Sequence, residues 1–243
     1  YTLNYSFSGT RIKTRTEYAY RSDDTLEKSI TYRNVNPDTG ALGAWTIGTG
    51  ESQKTGSSTI VSEAVYKADG ESLERTLTHN FNGQSVKTTT TYKYRLDDTL
   101  EKSITYKGEW RTQTINSDGE ISGAITRSVS TYELDGERIN NTLNYVFNGT
   151  RIKTRTEFGY RTATDDTLEW SKTYRNVNPE TGVLGSWTIG TGESQENGSS
   201  TLSSETRYKT DGESIERTLN YSSQGVVKTT TTYKYNSMDL LEK

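Results

Sequence analysis

Apolar and polar residues alternate along most of this chain with a period of two. In residues 71–81, Leu73, Leu77 and Phe81 share one parity, and the positions between them are mostly polar. Such alternation places successive side chains on opposite faces of a β-strand. No segment sustains the period of 3.6 residues that an amphipathic helix requires. The pattern therefore predicts an all-β fold with strands of roughly ten residues or more, longer than the usual five or six.

Short turn signals separate these strands. Asn82-Gly83 is a strong hairpin signal and predicts a tight two-residue turn. The same turn is expected at Ser8-Gly9, Asn148-Gly149 and Gln224-Gly225. The strand that follows Asn82-Gly83 is expected to carry Val86, Tyr92 and Tyr94 on one face. Its other face is expected to carry Lys87, Thr89, Thr91 and Lys93. Long strands joined by tight turns predict an antiparallel meander.

The chain repeats itself on two length scales. RIKTRTE begins at Arg11 and again at Arg151, and NVNPDTGALGAWTIGTGESQ at Asn34 returns almost unchanged at Asn176. A shorter period relates DDTLEKSITY at Asp23 to an identical segment further along the chain. These matches predict two long repeats. Residues 1–140 form a complete repeat with modules 1–68 and 69–134, and residues 141–243 form an incomplete one with modules 135–210 and 211–243.

The two ends of the chain are out of phase with this repeat. Leu241-Glu242-Lys243 aligns with the middle of the strand predicted at Leu100, and the first module lacks the Asp-Gly-Glu turn that opens the others. We therefore expect a segment of a larger tandem array, in which neighbouring modules complete one another.

The composition narrows the range of functions. Only 29% of the 243 residues are hydrophobic, which is typical of extended sheets with one wet face. The net charge of −3 is spread along the chain, so it provides no basic footprint for nucleic acid. There is no cysteine for a disulfide or a thiolate metal site, and no apolar run approaches the length of a membrane span. We expect neither nucleic-acid binding nor membrane insertion.

The short motifs that suggest chemistry are better explained as turns. NPDTG and NPETG resemble sorting signals, but both are internal and fit a type I turn with proline second. IGTGES, at Ile47 and Ile189, lacks the lysine and the following helix of a phosphate loop. Calcium needs six to eight converging oxygens, whereas the acidic pairs lie in separate turns. These pairs include Asp23-Asp24, Asp97-Asp98 and Asp165-Asp166.

No catalytic centre is expected. His79 is the only histidine, and tyrosine replaces it at the equivalent positions of the other modules, so it is interpreted as a packing residue. Paired carboxylates can hydrolyse glycosides. Here, however, every pair recurs from module to module, whereas an active site is normally built once. The sequence therefore predicts no catalytic residue, no metal site, no cofactor and no enzymatic activity.

The tryptophans and threonine runs are the remaining candidates for binding. Trp45, Trp187 and Trp110 are candidate glycan contacts because an aromatic ring can stack on a sugar; alternatively, they fill a thin core. Trp45 and Trp187 occupy equivalent positions of the repeat. The threonines of KTTTTYKY resemble those of ice-binding sheets, but lysine and arginine interrupt the array.

Three segments resemble the Tyr-Asp repeats of bacterial RHS proteins and teneurins: YKADGESLERTLTHNFNG, YELDGERINNTLNYVFNG and YRLDDTLEKSITY. The shared pattern is a tyrosine, a nearby Asp-Gly or Asp-Asp turn, an alternating strand and a further turn glycine. The chain departs from that family in its threonine and lysine content, its strand length and its WTIGTGES insert. The resemblance implies long β-hairpins that wind into a spiral sheet and form a hollow shell.

These observations predict tandem repeats of long antiparallel β-hairpins. The function they favour is a structural segment of a large extracellular or cell-surface fibre, stalk or sheath. Its partners are then neighbouring repeats and further copies of itself in a homopolymer. Two alternatives stay open: an adhesin-like array that binds glycans, and part of an RHS-type encapsulating shell.

Overall fold

The computed structural model describes residues 1–162, 166–236 and 241. These residues form eighteen β-strands and two single-turn 3-10 helices, and they include no α-helix. Within this part of the chain, no helix has the length and apolar character needed to cross a membrane. The predicted Asp165-Asp166 turn and Leu241-Glu242-Lys243 segment lie partly outside the described residues.

The all-β fold predicted from the alternation is confirmed, but the strands are four to nine residues long. They are shorter than predicted because turns and bulges take up the strand ends. The strands are β1 (Thr2–Tyr5), β2 (Ile12–Tyr20), β3 (Leu26–Arg33), β4 (Ala44–Ile47), β5 (Lys54–Ser57), β6 (Thr59–Tyr66), β7 (Leu73–His79), β8 (Val86–Tyr94), β9 (Leu100–Lys107), β10 (Thr126–Tyr132), β11 (Ile139–Tyr145), β12 (Ile152–Tyr160), β13 (Leu168–Arg175), β14 (Ser186–Ile189), β15 (Glu196–Ser199), β16 (Thr201–Tyr208), β17 (Ile215–Tyr221) and β18 (Val227–Thr232). The 3-10 helices are Gly50–Ser52 and Gly192–Ser194.

The chain folds into two compact units. The first comprises Tyr1–Lys93 and Thr105–Ala124, and its adjacent strands follow the order β1-β2-β3-β6-β7-β8. The second comprises Tyr94–Ile104 and Ile125–Lys243, with the order β10-β11-β12-β13-β16-β17-β18. The residues of β9 are divided between the two units. Within each unit, antiparallel neighbours follow chain order, as expected of a meander. The predicted module boundaries stay a prediction.

One turn geometry closes most of the hairpins. In the β7–β8 turn, Gly83 N donates to Asn80 O, so the central residues are Phe81 and Asn82. Gly83 follows in the left-handed region, with a φ of 71°. Asn82 and Gly83 were predicted to be the two central residues of the turn, and this is wrong, because the central residues lie one position earlier. The reason is that Asn82 uses its side chain to accept a hydrogen bond from Gln84 N. The same displacement occurs at Ser8-Gly9, Asn148-Gly149 and Gln224-Gly225.

A β-bulge moves Val86 to the face opposite the one predicted, whereas Tyr92 lies opposite Thr89 and Thr91 as predicted. The register with β7 shifts at the turn end of the strand, where Lys87 is the extra residue. Val86 therefore lies on the same face as Thr89 and Thr91, which are 0% and 1% exposed. The prediction that these threonines lie opposite Val86 is wrong, because one extra residue moves every following side chain to the other face.

Three inserts fold over one face of the sheets, and the core lies beneath them. The inserts comprise residues 34–58, 108–124 and 176–200. Insert 108–124 covers β7 and β8: Thr91 Oγ donates to Gly119 O at 2.6 Å, and Arg75 donates to Trp110 O at 2.7 Å. The buried apolar side chains are Ile12, Val35, Leu77, Val86, Ile104, Tyr106, Ile121, Ile152 and Val177.

The other two inserts are seated in the same way. Ile12 N donates to Pro37 O, and Ile152 N donates to Pro179 O, both at 2.8 Å. Insert 34–58 thus lies over β1 and β2, and insert 176–200 lies over β11 and β12. Each insert begins after a strand and covers the hairpin that comes immediately before that strand: inserts 34–58, 108–124 and 176–200 follow β3, β9 and β13, respectively.

Arginines tie hairpin turns to the ends of neighbouring strands. Arg33 donates to the carbonyls of Asn80 and Phe81, and its guanidinium lies 4.4 Å from the centroid of the Phe81 ring. Arg21 donates to Tyr66 O at 2.7 Å. Equivalent bonds join Arg95, Arg127, Arg161 and Arg175 to the carbonyls of Tyr132, Phe147, Lys209 and Tyr221, respectively. Carbonyl groups at the turns thereby gain the partners that backbone acceptors require.

Candidate functional site

Two of the candidate glycan contacts occupy equivalent small hairpins. Trp45 lies on β4 and donates from Nε1 to Asn34 O at 2.8 Å. Its ring packs over Gly56 on β5, where a Cβ would overlap the indole. Trp187 on β14 makes the same bond to Asn176 O, also at 2.8 Å. Both tryptophans are half-buried, so protein covers part of each ring.

Trp110 has different surroundings. Its Nε1 donates to Lys107 O at 2.8 Å, and its backbone N donates to Thr89 Oγ at 3.1 Å. Its carbonyl accepts from Arg75, so the residue helps to hold its insert on the sheet. The three tryptophans thus lie on three different inserts, and each indole N–H is satisfied internally. As glycan contacts they stay predictions.

A shallow hollow of about 300 Å³ lies beside Trp187. It is lined partly by Arg151 and Lys153, and Arg151 forms an ion pair with Glu196. The first long repeat carries Lys54 at the position of Glu196, so the equivalent ion pair is lost there. The hollow is at the small end of the range for ligand pockets.

The strongest electrostatic cluster of the first unit centres on Glu63. This residue is 3% exposed, and its carboxylate accepts from Arg111 at 2.7 Å and from His79 Nε2 at 2.9 Å. Lys28 Nζ lies 3.4 Å away. Hydrogen bonds from Arg111 lower the pKa of Glu63 to about 2 and outweigh burial, which alone would raise it; His79 contributes in the same direction. Glu63 is therefore held as a buried carboxylate anion.

This cluster joins an insert to the sheet. Arg111 belongs to insert 108–124, whereas Glu63 and His79 belong to β6 and β7. The second ring nitrogen of His79, Nδ1, lies 3.3 Å from Gly83 O. His79 therefore packs as predicted, with Nε2 against a buried carboxylate and Nδ1 near a turn carbonyl. Both oxygens of the Glu63 carboxylate accept hydrogen bonds from protein side chains. These bonds stabilise the contact between the insert and the sheet, and they leave neither oxygen open as a catalytic group.

The NPDTG and IGTGES motifs lie in turns and bends between strands, as interpreted. Asn36 Oδ1 of NPDTG accepts from Asp38 N at 3.0 Å. Gly40 N donates to Asn36 O, which makes this turn one residue longer than the predicted type I turn. Gly48 of IGTGES has a φ of 75° and precedes a 3-10 helix of three residues. Among the described residues, no group of three or more His, Cys, Asp or Glu side chains is placed to hold a metal ion.

Sequence reasoning missed the Glu63 cluster and the six bridging arginines. A signal for most of the arginines was present, because they directly follow a tyrosine at a strand end. These dipeptides are Tyr20-Arg21, Tyr32-Arg33, Tyr94-Arg95, Tyr160-Arg161 and Tyr174-Arg175. The Glu63 cluster left no such signal, since its members come from four separate parts of the chain.

The fold defines an all-β protein built from repeated antiparallel hairpins. Neither a protein-family model nor a curated protein matches the chain. Among solved structures, it is similar to a crystal structure of TcdB2-TccC3-TEV, with 13% identity and a TM-score of 0.24 over 93% of this chain. It is also similar to a porin-like protein from Bacteroides uniformis, with 11% identity and a TM-score of 0.18; the match covers 98% of this chain and 90% of that one.

The chain spans only 13% of the length of the TcdB2-TccC3-TEV chain. Scores this low carry no argument about function. The resemblance to Tyr-Asp repeats therefore stays a prediction from sequence.

Proposed function

We propose that this chain is a structural repeat segment of a large extracellular or cell-surface fibre, stalk or sheath. One observation carries the proposal: a hairpin is completed by an insert that lies beyond the next strand. Arg75 on β7 is 6% exposed, and it donates from Nη1 and Nη2 to the carbonyls of Trp110 and Gln113 in insert 108–124. Such dependence between consecutive parts favours stability that grows with the number of repeats.

The bridging arginines support the same role. Each bridging arginine links the end of one strand to a turn of a nearby hairpin. Mechanical force on one hairpin is then transmitted to the next through these bonds to backbone carbonyls. The Glu63 carboxylate is closed off by protein, which favours a non-enzymatic role. In this proposal the partners are neighbouring repeats and further copies of the chain.

The test is a series of chains with increasing numbers of modules, compared by thermal melting and by sedimentation. A structural array predicts that melting temperature rises as modules are added and that longer chains sediment as elongated particles. Negative-stain electron micrographs should show rods or filaments. If a single module melts at the same temperature as the longest chain and sediments as a compact monomer, the structural proposal is wrong.

A further inference from the structure

The face of each sheet opposite the inserts carries rows of hydroxyl and amide side chains. In the first unit, one row consists of residues that pair directly with one another across neighbouring strands: Thr2, Thr16, Thr31, Ser62, Thr78 and Thr88. In the second unit, the row is Ser130, Thr142, Thr156, Thr173, Ser204, Asn220 and Thr229. We call this surface the hydroxyl face. The sequence hint of a threonine array was interrupted by lysine and arginine, but the pleat places Arg15 and Lys93 on the other face, where they contact the inserts.

A second, parallel row of the hydroxyl face is also uncharged. In the first unit it consists of Tyr18, Ser29, Ala64, Thr76 and Thr90. In the second unit it consists of Phe158, Ser171, Thr206, Thr218 and Thr231. Charged side chains such as Glu63 and Arg75 lie on the face beneath the inserts. Arg33 and Arg175 lie at one edge of the hydroxyl face, opposite Thr14 and Thr154, and donate to turn carbonyls there.

The aromatic residues of the hydroxyl face lie along it. Tyr18 OH is 3.2 Å from Thr2 Oγ, and Tyr92 OH is 3.1 Å from Thr76 Oγ. Each bond reaches diagonally to a neighbouring strand, so the ring extends over the sheet. Tyr18 is 39% exposed. Flat aromatic surface beside hydroxyl groups suits the apolar faces and equatorial hydroxyls of sugars.

The hydrogen-bonding capacity of this face points to a polar ligand. Thr16 and Thr31 share one hydrogen bond at 3.0 Å, and Thr156 and Thr173 share one at 3.0 Å. A hydroxyl offers one donor and two acceptors, so each such pair retains a donor and several acceptors. A dry contact with a second sheet would leave these groups unsatisfied. Sugar hydroxyls both donate and accept, and a neutral chain matches the uncharged side chains of these two rows.

We propose that the hydroxyl face binds a neutral polysaccharide with extended, β-linked chains. Strands repeat about every 4.8 Å across a sheet, a spacing comparable with the length of one sugar ring, so many weak contacts act together. This inference goes beyond the structural role proposed above. It also places the glycan contact on the rows of threonine and tyrosine side chains, whereas the candidate tryptophans lie on the inserts.

The test measures depletion of the full chain from solution by microcrystalline cellulose and by chitin. The variant Thr31→Lys/Thr173→Lys puts one charge in the central row of each unit. The matched control, Thr46→Lys/Thr188→Lys, makes the same change at exposed threonines of the two small hairpins. The pair Thr31→Val/Thr173→Val removes the hydroxyls while keeping the shape. Unchanged melting temperatures establish that each variant is folded.

We expect the unaltered chain to bind at least one of the two polysaccharides. The lysine pair should raise the apparent Kd at least tenfold, the valine pair several-fold, and the control pair less than twofold. Equal binding by the unaltered chain and the lysine pair would overturn the proposal, as would no binding at all. So would sedimentation showing that the unaltered chain self-associates and that the lysine pair is monomeric, because the occupant would then be a second copy.

Discussion

At the scale of single residues, turn glycines with the same backbone conformation have different neighbours. Gly83 has a φ of 71° and Gly9 a φ of 68°. A Cβ on Gly83 would lie 2.9 Å from Ile60 N, whereas a Cβ on Gly9 would meet nothing within 4 Å. Both glycines thus provide conformational freedom, but only Gly83 also permits a close approach of two backbones.

Substitution by alanine separates these two effects. Gly83→Ala and Gly9→Ala should each lower the free energy of unfolding by roughly 1–2 kcal/mol, because alanine is strained in the left-handed conformation. Gly83→Ala should lose more, because the backbone at Ile60 cannot move as a side chain can. Denaturant unfolding of the two variants measures the difference. Equal losses would mean that the packing of the turn on β6 is unimportant.

Glu63 gives the first unit a specific response to acid. Its pKa of about 2 lies below the ordinary value of 4.5. Because the folded pKa is depressed, the ion pairs contribute fully above about pH 4.5, and the contribution is lost as pH falls from 4.5 towards 2. Glu63→Gln should destabilise the unit by roughly 1.5–3 kcal/mol at neutral pH, since it weakens the charge-assisted bonds to Arg111 and His79 while Arg111 keeps its ion pair with Glu109.

Hydrogen exchange of the β6 and β7 amides between pH 2 and 7 measures this response. The unaltered chain should lose protection between pH 4.5 and 2, after correction for the intrinsic exchange rate, and Glu63→Gln should show a flatter profile. Glu205→Gln is the matched control, because Glu205 occupies the equivalent position and pairs with Arg207 at 2.7 Å. An acid profile unchanged by Glu63→Gln would assign the loss of protection to other carboxylates.

At the scale of secondary structure elements, alternation predicted the strands well and their faces less well. The strands around Leu77 and Ile104 appear where period two places them. The face of Val86 was wrong because the extra residue at Lys87 leaves no mark in a pattern of threonines and lysines. The turns were displaced because Asn82 bonds through its side chain, a choice that the Asn-Gly dipeptide alone does not determine.

The bridging arginines predict a measurable link between elements. Arg33→Ala removes bonds to the carbonyls of Asn80 and Phe81, and it uncovers one side of the Phe81 ring. Hydrogen bonds from charged donors contribute about 1.5–3 kcal/mol, so a loss in that range is expected. Arg11→Ala is the control, because Arg11 is exposed and its loss should change stability by less than about 0.5 kcal/mol. Similar losses in both variants would indicate a general charge effect.

At the scale of the whole molecule, the internal repeat predicted the hairpin array, whereas the inserts limited what could be predicted. The segment around Trp45 was identified as a repeated structural part. Its position over β1 and β2, however, depends on contacts such as the hydrogen bond from Ile12 N to Pro37 O. Such contacts join residues that are far apart in sequence and have no shared periodicity. The candidate glycan residues were therefore chosen by type, and the uncharged rows of the hydroxyl face emerged only from the strand register.

The hairpin β17–β18 offers a direct test of what an insert contributes. It carries Leu219 and Val227 at the positions of Leu77 and Val86, but Val227 is 47% exposed whereas Val86 is 9% exposed. Fusing a second copy of residues 95–125 after Tyr235, the equivalent of Tyr94, supplies a strand and an insert of the type that covers β7 and β8. Burying the apolar side chains should stabilise the second unit by roughly 2–4 kcal/mol.

The matched control for this fusion replaces residues 108–125 of the added copy with a Gly-Ser linker of equal length. It keeps the added strand but lacks the insert, so any difference between the two fusions belongs to the insert. Hydrogen exchange should show the β17 and β18 amides protected more strongly in the insert-bearing chain, and its melting temperature should be higher. Equal protection in the two fusions would show that strand pairing alone stabilises the array. The inserts would then have to be explained by a role other than completing their neighbours.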